Sequence, residues 1–293
     1  MSKRDLPDPR LNAYRADLAD EALRGLVDAP RYVKGEPRQV AAPVLPVRRE
    51  PRFDATLDTE ALLGETVIVF DESEGWAWVQ LARDAYVGYM PSAGLARDIV
   101  APTHRVAALR TYVYREPDGK APALHLLSLN ARVTCEAEEG KFVALAGGGF
   151  VPARHLVPEG EAAPDHVAVA ESFLGAPYLW GGRTSVGLDC SGLVQLAAEA
   201  AGHVCPRDAD MQAAELGHKV DPGALRRGDL VFWEGHVGIM TSPTHLLHAN
   251  AHHMAVELEP FALARERIRA AGYEVTCVRR LPPAGAAAAA KGR

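Results

Sequence analysis

Apolar and polar positions change rhythm several times along this chain. Between Leu11 and Val27 the apolar residues Leu18, Leu23 and Leu26 recur among acids, a spacing that predicts one or two short helices ahead of a proline-rich linker. From about Ala42 to Ile99 short β-rich runs take over, among them Thr66–Phe70, Trp76–Gln80 and Tyr86–Met90, each bounded by turn residues. They predict a small barrel. A weak internal repeat follows, because the order of apolar run, Glu74-Gly75, aromatic run, Gly88, Pro91 and Leu95 returns as Glu139-Gly140, Phe142–Leu145, Gly149–Pro152 and Leu156. Two copies of one barrel are therefore expected.

After the polar stretch Val157–Asp165 the pattern shifts again. His166–Leu174 reads as a helix, and a Gly- and Pro-rich loop leads to Asp189-Cys190. The run from Ser191 is rich in helix formers and ends at Gly202, a residue suited to a helix C-cap, which places Cys190 at a helix N-terminus. Strand-like runs follow around Asp229–Trp233, His236–Met240 and Leu246–Ala249. The resulting division is a helical arm and linker (1–41), a first barrel (42–100), a second barrel (101–158), an α+β domain of helix plus antiparallel sheet (159–282) and an Ala-rich tail (283–293).

Composition narrows the classes. The 293 residues are 48% hydrophobic and 24% charged, which is globular, and exceed the usual size of one domain. The formal charge of −6 supplies no broad cationic field, so neither nucleic acid nor an anionic membrane surface is an expected partner. No run of about 18 apolar residues suggests a spanning helix, and the opening residues lack the apolar stretch of a secretory signal. A cytoplasmic location is the expectation. The four cysteines are dispersed and form no C-x-x-C pair, so they are read as free thiols, one of which is a candidate nucleophile.

Cys190 stands out because Asp189-Cys190-Ser191-Gly192 frames it with a turn, and a helix N-terminus favours the thiolate through its backbone N–H groups and dipole. A thiol nucleophile needs a base and a group to orient that base. Among the eleven histidines, His236 sits between Gly235 and Val237-Gly238, where small neighbours leave room for substrate, and His248 follows twelve residues later, compatible with the next strand of a hairpin. His245, His248, His252 and His253 also resemble a metal cluster, but the run has no carboxylate or cysteine ligand and strand-like Thr244–Leu247 spoils the helical spacing. Neither a metal nor a cofactor is expected. Trp76 and Trp78 are read as barrel core or domain interface, and Trp180 as a residue that meets substrate.

At Pro177–Gly182, Leu188–Gln195, Pro206–Gln212, Arg227–Trp233, His236–Met240 and Leu246–Ala249 the last domain resembles the NlpC-type cell-wall peptidases, papain-like cysteine enzymes. With two bacterial SH3-like barrels in front, the chain resembles their γ-D-glutamyl-L-diamino acid endopeptidases, which recycle muropeptides. The resemblance implies Cys190 as nucleophile, His236 as base and His248 as its orienter, with the Cys190 N–H and Tyr178 hydroxyl as oxyanion donors. It further implies that Asp208, Glu65 and Tyr86 meet a free N-terminal L-Ala amine, that Trp180 and Ser191 line the D-Glu subsite, and that Asp189 also binds substrate. Ala209 stands where relatives often carry serine, which removes a hydroxyl contact. Two other readings remain open at this point: a non-catalytic binder of peptidoglycan fragments, and a thiol amidase or acyltransferase using the same three residues.

Overall fold

In the computed structural model, which describes residues 6–283, the chain divides into two compact units. Over the described residues the first comprises 6–106, 111–127 and 131–156, and the second 107–110, 128–130 and 157–283. The Ala-rich tail expected from Ala284 onward lies outside the described residues.

The first unit is built on a seven-stranded antiparallel sheet whose strands run in the order 57–62, 44–48, 87–91, 76–81, 66–73, 36–40 and 95–96. Alternation puts Val67, Val69, Ala77, Val79 and Met90 on the inner face and turns Trp76 and Trp78 to the other face, where Trp78 is covered by Ala13, Leu18 and Phe70 and Trp76 meets Phe53, so the tryptophans are buried but are not barrel core. The second copy supplies a five-stranded sheet ordered 123–128, 110–114, 150–152, 142–145 and 135–139. The repeat is visible in detail: Pro91 and Pro152 each lead into a single 3-10 turn, Ser92–Gly94 and Ala153–His155, and each turn delivers a leucine, Leu95 or Leu156, to a closing strand.

The helical arm expected at residues 1–41 is not a helix over its described residues. Leu18–Asp20 and Arg31–Val33 pair as short parallel strands, the only helical piece is a 3-10 turn at Glu21–Leu23, and Glu36–Val40 joins the first sheet, so the barrel begins before residue 42. The reason is local and tertiary at once. Asp20 caps the turn through the Ala22 N–H, Gly25 takes a left-handed φ of 84°, and Ala13 and Leu18 are drawn onto Phe70 and Trp78.

The second unit carries the candidate chemistry. Helix α1 (His166–Glu171), α2 (Cys190–Ala200) and α3 (Ala209–Glu215) precede an antiparallel sheet of β1 (His218–Lys219), β2 (Asp229–Trp233), β3 (His236–Ser242) and β4 (His245–Asn250), with β5 (Ala255–Pro260), α4 (Phe261–Ala270) and β6 (Cys277–Arg280) completing it. The strand order is β1-β6-β2-β3-β4-β5. Leu193, Val194, Leu196 and Ala197 of α2 are all buried, and α2 packs on β3 and β4. The opposite face of the sheet, with Val231, Trp233, Met240, Leu246 and Val278, is closed by Phe261, Ala264 and Ile268 of α4. The turns 107–110 and 128–130, expected within the second barrel, belong to this unit, where Asn130 donates to the Leu196 carbonyl at 3.0 Å and Ser128 meets Ser185 at 3.1 Å.

Candidate active site

Cys190 is the first residue of α2, and the chain enters it through Asp189. The Asp189 carboxylate caps the helix by accepting the Gly192 N–H at 2.8 Å and also accepts the Gly181 N–H at 2.8 Å. It is held in turn by Arg207, whose guanidinium reaches Oδ1 and Oδ2 at 2.9 and 2.8 Å and meets the Ser191 hydroxyl at 2.8 Å. Arg207 is 1% exposed and Asp189 7%. A bidentate charge pair at the helix start therefore fixes the direction in which Cys190 points. Gly192 has no side chain because a Cβ there would lie 2.5 Å from the Gly182 carbonyl oxygen, so the helix approaches the 181–182 turn as closely as backbone allows.

His236 opens β3 and His248 sits in β4, and their rings meet with His236 Nε2 2.8 Å from His248 Nδ1. Gly238 lets β3 lie close to β4, since a Cβ there would fall 2.7 Å from Leu246 Cδ1 and 3.2 Å from His248 Cβ. The pair does not end there. His248 Nε2 is 2.7 Å from Glu259 Oε1 on β5, and Arg267 of α4 donates to both Glu259 oxygens at 2.7 and 2.5 Å. The Cys190 sulfur lies against the backbone N–H of Val237, the residue after His236, which brings the helix start and the histidine strand together.

Burial dominates the titration of this cluster. It pushes the Cys190 thiol up to about 12, reinforced by the Asp189 charge, while the Val237 and Ser191 N–H groups and Arg207 pull the other way and lose. Burial, then His248 and Arg267, bring His236 down to about 3. The expected lowering of the thiol by the helix N-terminus is thus outweighed, because the sulfur is desolvated as well as placed. Burial thus favours the neutral thiol at Cys190 and the neutral imidazole at His236. Tyr178 is half-buried near Cys190, and burial followed by the Cys190 and Asp189 charges pushes its phenol up to about 12, which keeps it a hydrogen-bond donor at neutral pH.

The other expected site residues fall into three groups. Trp180 is 61% exposed, and Asp208 is half-buried at the start of α3, where its side chain does not cap the helix. The side chains of Asp189 and Ser191, expected to line a substrate subsite, turn inward: Ser191 donates to Asp189 Oδ1 at 3.2 Å and faces Arg207, so both serve the helix start. Ala209 is buried. Glu65 and Tyr86 belong to the first unit, where both are buried, Glu65 bonded to Arg83 at 2.9 Å through each oxygen. Of the histidine run, His248 turns inward, whereas His252 and His253 are exposed, His253 bonding Asn250.

Sequence reasoning passed over Arg207, Glu259 and Arg267. Arg207 stands inside the quoted Pro206–Gln212 motif and could have been suspected there. Nothing local marks Glu259 or Arg267.

Comparison with known proteins places this geometry. A bacterial dipeptidyl-peptidase SH3 domain description matches residues 47–95, and the NlpC/P60 family description matches residues 175–267. A gamma-D-glutamyl-L-lysine dipeptidyl-peptidase of Bacillus subtilis is 30% identical over 228 residues, covering 70% of this chain and 76% of that protein. The chain belongs to the NlpC/P60 family. A second NlpC/P60 relative, the gamma-D-glutamyl-L-lysine dipeptidyl-peptidase of Bacillus cereus, is 27% identical with 70% of each chain covered. Dipeptidyl-peptidase 6 of Lysinibacillus sphaericus is 28% identical over 69% of this chain and 83% of its own. The fold agrees: an NlpC/P60 protein from Bacillus cereus superposes with a TM-score of 0.71 at 23% identity, covering 84% of this chain and all of that one. An NlpC/P60 endopeptidase from Photobacterium damselae gives 0.59 at 13% identity, with 84% and 71% covered. This NlpC/P60 chain is thus a papain-like α+β cysteine peptidase preceded by SH3-like sequence.

Proposed function

We propose that this cysteine peptidase hydrolyses the bond between γ-D-Glu and the diamino acid in peptidoglycan stem peptides that begin with a free L-Ala. The observation that carries the reading is the placement of Cys190 at the start of α2 against the Val237 N–H of β3, one residue along the chain from His236, whose ring is backed by His248. The relatives' names, gamma-D-glutamyl-L-lysine dipeptidyl-peptidases, support this choice of bond.

In this reading His236 takes the Cys190 proton as sulfur attacks the γ-carbonyl carbon, so that no free thiolate need accumulate. The oxyanion is met by the Cys190 N–H, one of the helix's unpaired first-turn donors, and by the Tyr178 hydroxyl. His236 then returns its proton to the departing diamino acid nitrogen, leaving L-Ala-γ-D-Glu as a thioester. Water, deprotonated by His236, attacks the thioester and releases the dipeptide and the thiol. Asp208 is the carboxylate we assign to the substrate amine.

Incubation with L-Ala-γ-D-Glu-diamino acid is expected to release L-Ala-D-Glu, and Cys190→Ala to abolish release; full activity of that variant would remove the mechanism. N-acetylation of the substrate is expected to slow turnover several hundredfold, since it leaves a partly buried acid without its cation, a loss of about 2–5 kcal/mol. Equal rates on both peptides would show that the amine is not read. All four cysteines are free thiols, which suits a reducing compartment, and we place the reaction in the cytoplasm. Recovery of the native protein from an extracytoplasmic fraction would contradict that placement.

A further inference from the structure

Behind the two histidines, Glu259 and Arg267 form an ion pair that touches no reacting atom. The guanidinium bonds both carboxylate oxygens, and the remaining capacity of Oε1 is directed at His248 Nε2. A carboxylate held this way is ionised and can only accept. His248 must therefore carry its hydrogen on Nε2. Its Nδ1 is left with a lone pair, and because that nitrogen is 2.8 Å from His236 Nε2, His236 must donate from Nε2. The nitrogen remaining to His236 is a bare Nδ1.

We propose that Glu259, anchored by Arg267, is a positioning residue that fixes both histidine tautomers and thereby makes His236 Nδ1 the acceptor of the thiol proton. The proposal rests on the reading of Cys190 and His236 as nucleophile and base. Without an acceptor-only group at the end, the relay can run in reverse. His248 Nδ1–H would then donate to His236 Nε2, and His236 would present Nδ1–H to the sulfur, a state that cannot take a proton from it. Glu259 removes this degeneracy. It also lets the base act without rearrangement: when Nδ1 gains its proton, Nε2–H still donates to His248 and His248 Nε2–H still donates to Glu259. His248 is fully buried and Glu259 nearly so, which keeps water from substituting for either partner. The last link is supplied from α4, which gives a helix outside the three catalytic elements a part in proton transfer.

The test compares Glu259→Gln and Glu259→Asp in the full chain. Glutamine matches the size of the native side chain but can donate as well as accept, whereas aspartate is smaller and remains an acceptor-only anion. The Gln variant is expected to lose about 10–100-fold in kcat with KM changed by no more than about twofold, and the Asp variant to retain more activity than Gln. A role in packing alone predicts the opposite order, so Gln outperforming Asp, or wild-type kcat in the Gln variant, would overturn the proposal. Nitrogen-15 NMR of the histidine side chains in the unmodified protein gives a second reading, with His248 assigned by its loss in His248→Gln. Hydrogen on Nε2 and a bare Nδ1 is expected at His248; the reverse would overturn the proposal even if neither Glu259 variant folds. Failure of the wild-type protein to cleave the tripeptide would instead strike the proposed function, and leaves the spectrum to decide the tautomers.

Discussion

Cys190 shows how placement and burial can oppose each other at one atom. The helix start, two backbone N–H groups and Arg207 favour the thiolate, but desolvation and the neighbouring Asp189 carboxylate push the thiol up to about 12. The consequence is measurable. Alkylation of Cys190 by iodoacetamide is expected to be slow at neutral pH and to rise roughly tenfold per pH unit from about pH 6 to about pH 9, because the thiolate fraction limits the rate. A rate that levels off across that range would reveal a resting thiolate–imidazolium pair. That Cys190 would open a helix and that His236 and His248 would meet on neighbouring strands was legible in the sequence, since turn residues and spacing mark them. The sign of the thiol shift was not, because it depends on how completely the sulfur is desolvated against β3 in the folded chain. Glu259 and Arg267 were illegible for a related reason: their partners His248 and Glu259 become neighbours only when β4, β5 and α4 assemble.

At the level of elements, the start of α2 depends on a buried residue outside the helix. Arg207 bonds Asp189, Ser191 and the Gly182 carbonyl, and so connects the helix cap to the turn that lies over it. Replacing it by alanine leaves the Asp189 charge buried with the Gly181 and Gly192 N–H groups but no cation. Arg207→Ala is expected to destabilise the second unit by about 3–5 kcal/mol, measured by urea denaturation, and to depress peptidase activity through loss of the α2 start. Stability and kcat both equal to wild type would show that the cap alone positions Cys190. The antiparallel strands and α2 were legible because apolar periodicity and helix formers agree there with the tertiary answer. The residue 11–27 stretch was not: Leu18 and Leu23 have helix-compatible spacing, yet Leu18 is buried on Phe70 and Trp78 while the Asp20 cap and Gly25 limit the helical segment to one 3-10 turn. Its apolar residues are satisfied by the barrel rather than by one another.

For the whole molecule, acid stability should differ between the two units because their buried histidines are unequally distributed. His166, His203, His236 and His248 of the second unit are all held below their ordinary value of 6.5 chiefly by burial, whereas in the first unit His155 is the one histidine among the described residues with a resolved lowering. The charges facing them do not reverse this: Asp165 and Arg227 act on His166, His166 on His203, and Glu259, Arg267, Asp189 and His253 on His236 and His248. Between a lowered folded value, about 3 for His236, and 6.5 in the unfolded chain, the unfolded state binds more protons. Stability therefore rises with pH through that window; it is complete above 6.5 and is lost as pH falls. The lowered carboxylates Asp165 and Glu259 add the same sign of dependence, but only as pH drops through their ordinary values of 3.8 and 4.5, so they contribute little above about pH 5. Calorimetry between about pH 7.5 and about pH 5 is thus expected to move the second unit's unfolding to lower temperature more than the first unit's, with proton uptake on unfolding. His166→Gln should flatten the slope without touching Cys190, His236 or His248. A second-unit transition that does not move over this range would mean that these imidazoles remain accessible to protons in the folded state.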